Sequence, residues 1–218
     1  MNQTNTMRAV VLNAYETTPQ LQDIARPGAG HGHVLVRIEA SGVNPVDIKI
    51  AAGKAAHARA VLPAILGIDL AGVVEAVGAG VTDFEVGDEV YGMAGGIGGV
   101  QGSLAEYASV DADLLAVKPK NMSMREAAAL PLIFITAWEG LVDRARVGAG
   151  KTVLIHGGAG GVGHIAVQIA AAFGATVYAT GDATQQAAIA ALAAIPIDYQ
   201  AETVEQYLAR HTCGPAST

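Results

Sequence analysis

The sequence is poor in cysteine and in charge. Cys213 is the only cysteine among 218 residues, which excludes an internal disulfide framework and a multi-cysteine metal site. The 13 Lys and Arg are scattered and the formal net charge is −7, so we predict no nucleic-acid surface. No stretch is long and apolar enough for a membrane span, and the opening MNQTNTM lacks the apolar core of a signal peptide. We therefore expect a cytoplasmic protein without membrane or nucleic-acid partners.

The sequence is instead rich in apolar residues and glycine. Hydrophobic residues make up 51% of it and there are 27 glycines, a composition that fits helices packed closely on a sheet. Before Asn121, runs such as Val34–Ser41 and Ser103–Val110 alternate apolar and polar residues, as half-buried strands do. A glycine turn also closes the β-rich run Gly67–Val77. This part of the chain predicts a barrel-like β domain.

The pattern changes after Asn121. Ser123 and Glu126 have the spacing of a capping box at the start of a helix, which Pro131 ends or kinks, and a second helix is predicted over Thr136–Arg144. Strands and helices then alternate over Thr152–His156, Val162–Phe173, Thr176–Thr180, Thr184–Ala194 and Pro196–Tyr199. That β-α-β-α-β order is the first half of a doubly wound nucleotide-binding sheet. We therefore predict an α/β protein, with a β-rich domain over residues 1–125 and a partial Rossmann domain over residues 126–218.

A glycine-rich loop joins the first of these alternating strands to its helix. Gly158, Gly160 and Gly163 satisfy the pattern G-x-G-x-x-G, and Gly161 and Val162 lie inside it. Glycine lets a pyrophosphate approach the backbone, and the N–H groups at a helix start attract an anion. These five residues are therefore predicted to bind a dinucleotide. The alternative is a glycine-rich helix start without a ligand.

The second of these strands ends in two polar residues, Thr180 and Asp182. Asp182 lies 19 residues after Gly163, close to the acidic position that such folds use to bind the ribose. Both residues are candidate cofactor ligands. Asp182 would accept a hydrogen bond from an adenosine 2′-hydroxyl and repel a 2′-phosphate, or it would instead cap the helix that starts near Thr184.

Six segments, taken in their order and spacing, carry a family resemblance. They are Ser41–Asp47, Gly67–Val74, Val86–Gly92, Gly102–Tyr107, Leu130-Pro131 with Thr136-Ala137, and Gly157–Gly163. Together they resemble the medium-chain dehydrogenase/reductase superfamily, in its zinc-independent quinone oxidoreductase branch. The resemblance implies an N-terminal GroES-like β-barrel domain followed by a Rossmann domain. It also implies longer chains, commonly homodimers, with a six-stranded sheet, so we expect this chain to be a truncated form that is poorly stable or inactive by itself.

The resemblance also implies that zinc is absent. Zinc-dependent relatives carry a cysteine where Asn44 stands, a histidine where Ile68 stands, and a four-cysteine lobe where this chain has Gly92–Gly102. The six histidines show no paired ligand spacing. Without a Lewis acid, the implied reaction is hydride transfer from a reduced nicotinamide to a quinone or to the β-carbon of an α,β-unsaturated carbonyl (an enone).

The same resemblance implies roles for individual residues. Asn44 would line the nicotinamide site, and Thr136 would lie beside the nicotinamide. Lys49 would donate to the developing oxyanion or hold a cofactor phosphate. The alternatives are a solvated surface lysine and, for Asn44, a buried turn residue. Asp69 and Tyr107 are expected to be structural.

The family usually binds NADPH, with a small polar residue and a lysine after the second strand and a tyrosine after the third. Tyr199 matches the tyrosine, whereas Asp182 and Gln186 stand at the other two positions. We predict NADPH and leave NADH open. Two other functions also stay open, namely an enoyl-thioester reductase and a nucleotide-binding protein without turnover.

Overall fold

The chain folds into two compact units. The computed structural model describes residues 5–211, and Cys213 lies outside this range. One unit ends at Leu132 and the other begins at Ile133. We call the first the β-rich unit and the second the α/β unit.

The division between the units falls later than the sequence places it. The expected boundary after residue 125 lies inside α2 (Met124–Ala128). Ala127 and Ala128 of this helix are buried in a cluster with Ala71. Because alanines allow a helix to lie close to a strand, α2 packs as part of the β-rich unit.

Two antiparallel sheets form the β-rich unit. Its strands are β1 (Thr6–Leu12), β2 (Gln20–Ala25), β3 (His33–Ser41), β4 (Ala64–Ile65), β5 (Asp69–Val77), β6 (Glu89–Met93), β7 (Tyr107–Asp111) and β8 (Leu115–Val117). They are ordered β2-β1-β4 in one sheet and β7-β3-β5-β6-β8 in the other. The helix α1 (Pro45–Ala51) follows β3 along the chain. Alternation fills the core as predicted, since Val34 and Val36 of β3 are fully buried with Val74 of β5.

The strand expected over Ser103–Val110 exists only in its second half, as β7. The preceding residues run beside β1, where the Val10 N–H donates to the Leu104 carbonyl at 2.8 Å. The Glu106 N–H likewise donates to the Arg8 carbonyl at 3.0 Å. The chain thus passes from one sheet to the other within a single alternating run, which a period of two residues does not reveal.

The α/β unit contains a three-stranded parallel sheet. Its elements are α3 (Pro131–Trp138, which spans the division), a π-helical turn (Glu139–Arg144), β9 (Thr152–Ile155), α4 (Gly161–Ala172), β10 (Thr176–Gly181), α5 (Gln186–Ala191), β11 (Ile195–Asp198) and α6 (Val204–His211). The strand order is β11-β10-β9, with β10 parallel to both neighbours. This arrangement confirms the predicted β-α-β-α-β half sheet. α3 begins earlier than expected because proline suits the first turn of a helix.

Small residues bring α4 close to the sheet. Ala166, Val167 and Ala170 of α4 are buried in one cluster with Val177 and Ala179 of β10. This packing places the start of α4 at the carboxyl ends of the strands, where open α/β sheets bind their ligands. No helix within residues 5–211 is both long and apolar enough to cross a bilayer.

Candidate functional site

The glycine-rich loop connects β9 to α4 through a tight turn. Gly157 has a φ of +66°, a backbone conformation that residues with a side chain rarely adopt. The Gly158 N–H donates to the Thr180 carbonyl of β10 at 2.8 Å, and the Gly160 N–H donates to the Gly157 carbonyl at 2.9 Å. α4 then begins at Gly161. The loop therefore lies at the end of two parallel strands, between a strand and a helix.

Two glycines of the loop are required by packing. A Cβ on Gly163 would overlap the carbonyl oxygen of Gly157, and a Cβ on Gly158 would stand 2.6 Å from the Cβ of Ala179. The first neighbour is a backbone atom and the second is the Cβ of a strand residue, so neither is the movable end of a flexible side chain. Gly158 and Gly163 therefore let the loop, the helix and the sheet approach each other.

Gly160 and Gly161 are exposed and face a more open space. The nearest atom to a Cβ on Gly161 would belong to Ile133, at 3.9 Å, and a Cβ on Gly160 would lie 3.2 Å from the Gly157 oxygen. N–H groups in the first turn of an α-helix have no partner within the helix and lie at its positive end. The surface over Gly160, Gly161 and Val162, which we call the cradle, thus presents the positive end of α4, where helices bind anions.

Thr180 supports the loop from the sheet. Its side chain is buried, and its Oγ1 accepts a hydrogen bond from the Gly157 N–H at 3.1 Å. The same oxygen lies 3.4 Å from Nδ1 of His156. Because its carbonyl also binds Gly158, Thr180 holds the loop through both its side chain and its backbone. The structure places this expected cofactor residue beneath the loop.

Asp182 follows β10 and forms a local turn. Its Oδ1 accepts hydrogen bonds from the Thr184 hydroxyl at 2.6 Å and from the Thr184 N–H at 2.9 Å. These bonds, the hydroxyl first, lower the pKa of the Asp182 carboxyl, which is therefore an anion at neutral pH. The Gln186 side-chain amide donates to the carbonyls of Gly181 and Asp182. No Lys or Arg occurs between positions 181 and 199.

Tyr199 and Thr136 are exposed residues of the α/β unit. Tyr199 follows β11, and its N–H donates to the Gly181 carbonyl at 3.3 Å. This bond brings Tyr199 to the same end of the sheet as the Asp182 turn. Thr136 lies on α3, where Trp138 stacks on Phe134 with 5.7 Å between the ring centroids.

In the β-rich unit, Asn44 stands at the start of α1. It is the N-cap residue, and Pro45 occupies the beginning of the helix. Oδ2 of Asp47 accepts the Asn44 N–H at 2.7 Å, and Oδ1 accepts the Gly67 N–H at 3.0 Å. Because Asn44 and Asp47 are both buried, these bonds fix the turn that carries Asn44.

Asp69 is a buried neighbour of Asn44 that sequence reasoning treated only as structural. Its side chain is almost fully buried at the start of β5, with 1% of the residue exposed. Oδ2 accepts a hydrogen bond from Nδ2 of Asn44 at 2.8 Å, and Oδ1 accepts the Leu132 N–H at 3.0 Å. Burial raises the pKa of Asp69 to about 6, the bonds from Asn44 and Leu132 oppose this rise, and the Asp47 carboxylate adds to it. The available sequence signal was an acid at the start of an apolar strand.

Lys49 and Ile68 have opposite environments. Lys49 lies on the exposed face of α1, while Ile68 is buried with 3% of its surface exposed. Within residues 5–211, no group of three His, Cys, Asp or Glu side chains is arranged to hold a metal ion. The absence of zinc stays a prediction that depends on the residue types at positions 44 and 68.

Comparison with known proteins gives one family match and several relatives. The alcohol dehydrogenase GroES-like domain matches residues 30–120. A 2-methylene-furan-3-one reductase from Solanum lycopersicum is 44% identical over 190 residues, which cover 84% of this chain and 49% of that protein. A chloroplastic NADPH-dependent alkenal/one oxidoreductase from Arabidopsis thaliana is 41% identical over 209 residues, which cover 91% of this chain and 54% of that protein. The chain thus spans about half the length of these relatives.

Solved structures also match this chain over part of their own length. An alcohol dehydrogenase superfamily protein from Novosphingobium aromaticivorans superposes with a TM-score of 0.92 at 56% identity, covering 95% of this chain and 62% of that one. The quinone oxidoreductase from Coxiella burnetii superposes with a TM-score of 0.80 at 32% identity, covering 91% of this chain and 64% of that one. The predicted fold class, a GroES-like domain followed by part of a Rossmann sheet, is confirmed.

Proposed function

The chain belongs to the medium-chain dehydrogenase/reductase superfamily, and from this membership we propose that it acts as an NADPH-dependent reductase of α,β-unsaturated carbonyls or quinones. The observation that carries the proposal is the cradle over Gly160, Gly161 and Val162, at the place where a Rossmann sheet binds a pyrophosphate. The names of the Arabidopsis and Coxiella proteins supply the acceptor classes. We place this activity in the cytoplasm.

The loop residues have two different roles in the proposed binding of the cofactor. Gly161 and Val162 would donate backbone N–H groups to the diphosphate and Gly160 would line its site, while Gly158 and Gly163 keep the loop against the sheet. Thr180 fixes the loop from below. A bound NADPH would supply the hydride. The proposal also places Thr136 beside the nicotinamide.

Asn44 and Lys49 are proposed to act on the acceptor side. Reduction of an enone or a quinone gathers negative charge on the carbonyl oxygen, and a positioned donor stabilises that charge. Lys49 is exposed and carries a mobile ammonium group, so it can reach an acceptor oxygen. Asn44 is buried and fixed, so it lines the site as a rigid surface. No metal takes part in this scheme, because Asn44 and Ile68 stand where zinc ligands would be needed.

We propose NADPH as the main cofactor and NADH as an accepted one. The Arabidopsis relative is NADPH-dependent, which supports NADPH. Asp182 is an anion at the end of β10, and no Lys or Arg follows it up to position 199. The Asp182 carboxylate repels a 2′-phosphate and no cation in that segment neutralises the phosphate, so NADPH should gain little affinity over NADH from this part of the site.

The proposal is tested by cofactor binding and turnover. We expect the purified chain to enhance NADPH fluorescence and to consume NADPH when an alkenal, an enone or a simple quinone is added. This result would overturn the expectation from the sequence that the chain is inactive by itself. Gly161→Asp should abolish binding, because it puts an anion into the cradle. Gly148→Asp is the matched control, since a Cβ on Gly148 meets nothing within 4 Å. Equal loss of binding in both variants, or a wild-type chain that binds no NADPH, would reject the proposal.

A further inference from the structure

The loop carrying Asn44 is held by a buried carboxylate from another part of the β-rich unit. We propose that Asp69 is a positioning residue for the reaction proposed above, because one carboxylate oxygen fixes the Asn44 amide while the other fixes the Leu132 N–H in the first turn of α3. This inference rests on the proposed function for the role of Asn44. The hydrogen bonds themselves can be tested without it.

The two bonds determine how Asn44 is presented. An ionised carboxylate only accepts hydrogen bonds, so the amide nitrogen of Asn44 must face Asp69 and its carbonyl oxygen must point elsewhere. The bond of 2.8 Å is charge-assisted and buried, which makes it stronger than a neutral one. Asp69 therefore prevents the amide of Asn44 from flipping.

The backbone around Asp69 is held as firmly as its side chain. The Gly42 N–H donates to the Asp69 carbonyl at 3.0 Å, and the Ser103 hydroxyl donates to the same oxygen at 2.8 Å. The hydroxyls of Ser103 and Ser41 are 2.5 Å apart. A Cβ on Gly42 would stand 2.9 Å from the Cβ of Asp69, so β5 lies directly against the segment that leads to Asn44. Asp69 thus contacts this segment both before and at Asn44.

Protonation of Asp69 would weaken this arrangement. Both oxygens accept hydrogen bonds, and a proton adds a donor, lowers the acceptor capacity of the carboxyl and removes the charge that strengthens the bond from Asn44. The charged group that faces Asp69 is the Asp47 carboxylate of α1. Arg125 and Glu126 of α2, the helix packed on β5, are exposed to solvent. With a pKa of about 6, Asp69 is ionised at neutral pH and neutral in mild acid.

The test follows the Asn44 side-chain amide by NMR in protein labelled with ¹⁵N-asparagine. The sequence has five asparagines, and Asn44→Ser assigns the resonances of interest. We expect the Asn44 amide protons of the wild type to shift with pH, with a midpoint near 6. In Asp69→Asn this titration should disappear. In Asp47→Asn it should remain with a lower midpoint, because the carboxylate that raises the pKa of Asp69 is gone.

Kinetics provide a second readout. Wild-type kcat should fall below about pH 6, whereas Asp69→Asn should show a kcat about tenfold lower at neutral pH without that acidic limb. The KM for NADPH should not change, since the cradle lies in the other unit. If the Asn44 side-chain resonances of the wild type do not shift between pH 4 and pH 8, the proposal is overturned. This measurement needs no variant. An inactive wild type whose Asn44 amide still titrates with Asp69 would reject the proposed function and support the coupling.

Discussion

Gly163 lies so close to Gly157 that any side chain at position 163 would overlap the Gly157 carbonyl oxygen. Gly157 itself turns the chain with a positive φ, and Gly163 sits in the first turn of α4. Together with Gly158, these two residues must lack a side chain for the strand, loop and helix to meet. Gly161, also in that first turn, has no such neighbour.

The pair Gly163→Ala and Gly161→Ala separates packing from binding. Gly163→Ala should reduce the free energy of unfolding by about 1–3 kcal/mol, because the added methyl forces the loop away from the helix. Gly161→Ala should keep or raise stability, since alanine is the better helix former, while weakening NADPH binding by covering the cradle. Chemical denaturation and NADPH fluorescence measure the two effects. Equal stability of both variants would contradict this account of the loop.

Thr180 offers a second test of how the loop is held. Thr180→Val keeps the shape of the side chain but removes the acceptor of the Gly157 N–H, a part-buried hydrogen bond whose loss should cost about 1 kcal/mol. Thr180→Ser keeps the hydroxyl and should cost less. Urea unfolding of both variants gives the difference. If valine and serine are equally tolerated, the Thr180 hydroxyl does not support the loop.

The glycine loop could be predicted because its determinants are consecutive in the sequence. Other elements leave weaker signals. β2 is largely exposed and polar, so its pairing with β1 depends on backbone bonds rather than on an apolar face. α1 has only seven residues, too few for a hydrophobic period, although Asn44, Pro45 and Asp47 mark its start.

The surroundings of Asn44 could not be predicted in the same way. Asp69 is 25 residues from Asn44 and 63 from Leu132, and the tertiary fold alone brings these groups together. A single acid in an apolar strand signals a buried interaction but does not identify its partners. For this reason the sequence indicated a role for Asn44 and a structural role for Asp69, but not the contact between them.

Asp182 should influence the choice between the two nicotinamide cofactors. Asp182→Asn removes an anion from the end of β10, so it should tighten NADPH binding by about tenfold and leave NADH binding nearly unchanged. Asp143→Asn changes the net charge equally at an exposed position of the same unit and should alter neither affinity. Fluorescence titrations give the ratio of the two Kd values. A ratio that moves equally in both variants would show a general charge effect.

Asp69 should make stability depend on pH in the direction opposite to most carboxyls. Folding raises its pKa from 3.8 to about 6, so the folded protein binds this proton more tightly than the unfolded chain does. This tighter proton binding stabilises the folded state by about 3 kcal/mol below the unfolded pKa. The stabilisation is lost as the pH rises through 6. Glu106 and Glu126 have lowered pKa values and act in the opposite direction.

The difference between the wild type and Asp69→Asn isolates this contribution, because all other carboxyls are common to both. Relative to the variant, the wild type should lose stability between pH 4 and pH 7 in urea unfolding. Stability curves that stay parallel over this range would contradict the raised pKa of Asp69.

Lys49 can be tested against a lysine of the same exposure. Lys49→Met keeps the length of the side chain but removes the donor, so kcat with an enone should fall by about a hundredfold if Lys49 stabilises the oxyanion. Lys54 is also exposed and lies just beyond the end of α1, so Lys54→Met should leave kcat unchanged. Neither change removes a buried contact, and both variants should unfold at the wild-type urea concentration.

If Lys49→Met raises the KM for NADPH with kcat unchanged, the ammonium group binds a cofactor phosphate and the oxyanion needs another donor. Full activity with both substitutions would make Lys49 a surface lysine and leave Asn44 as the only polar residue of α1 and its cap proposed for the acceptor side.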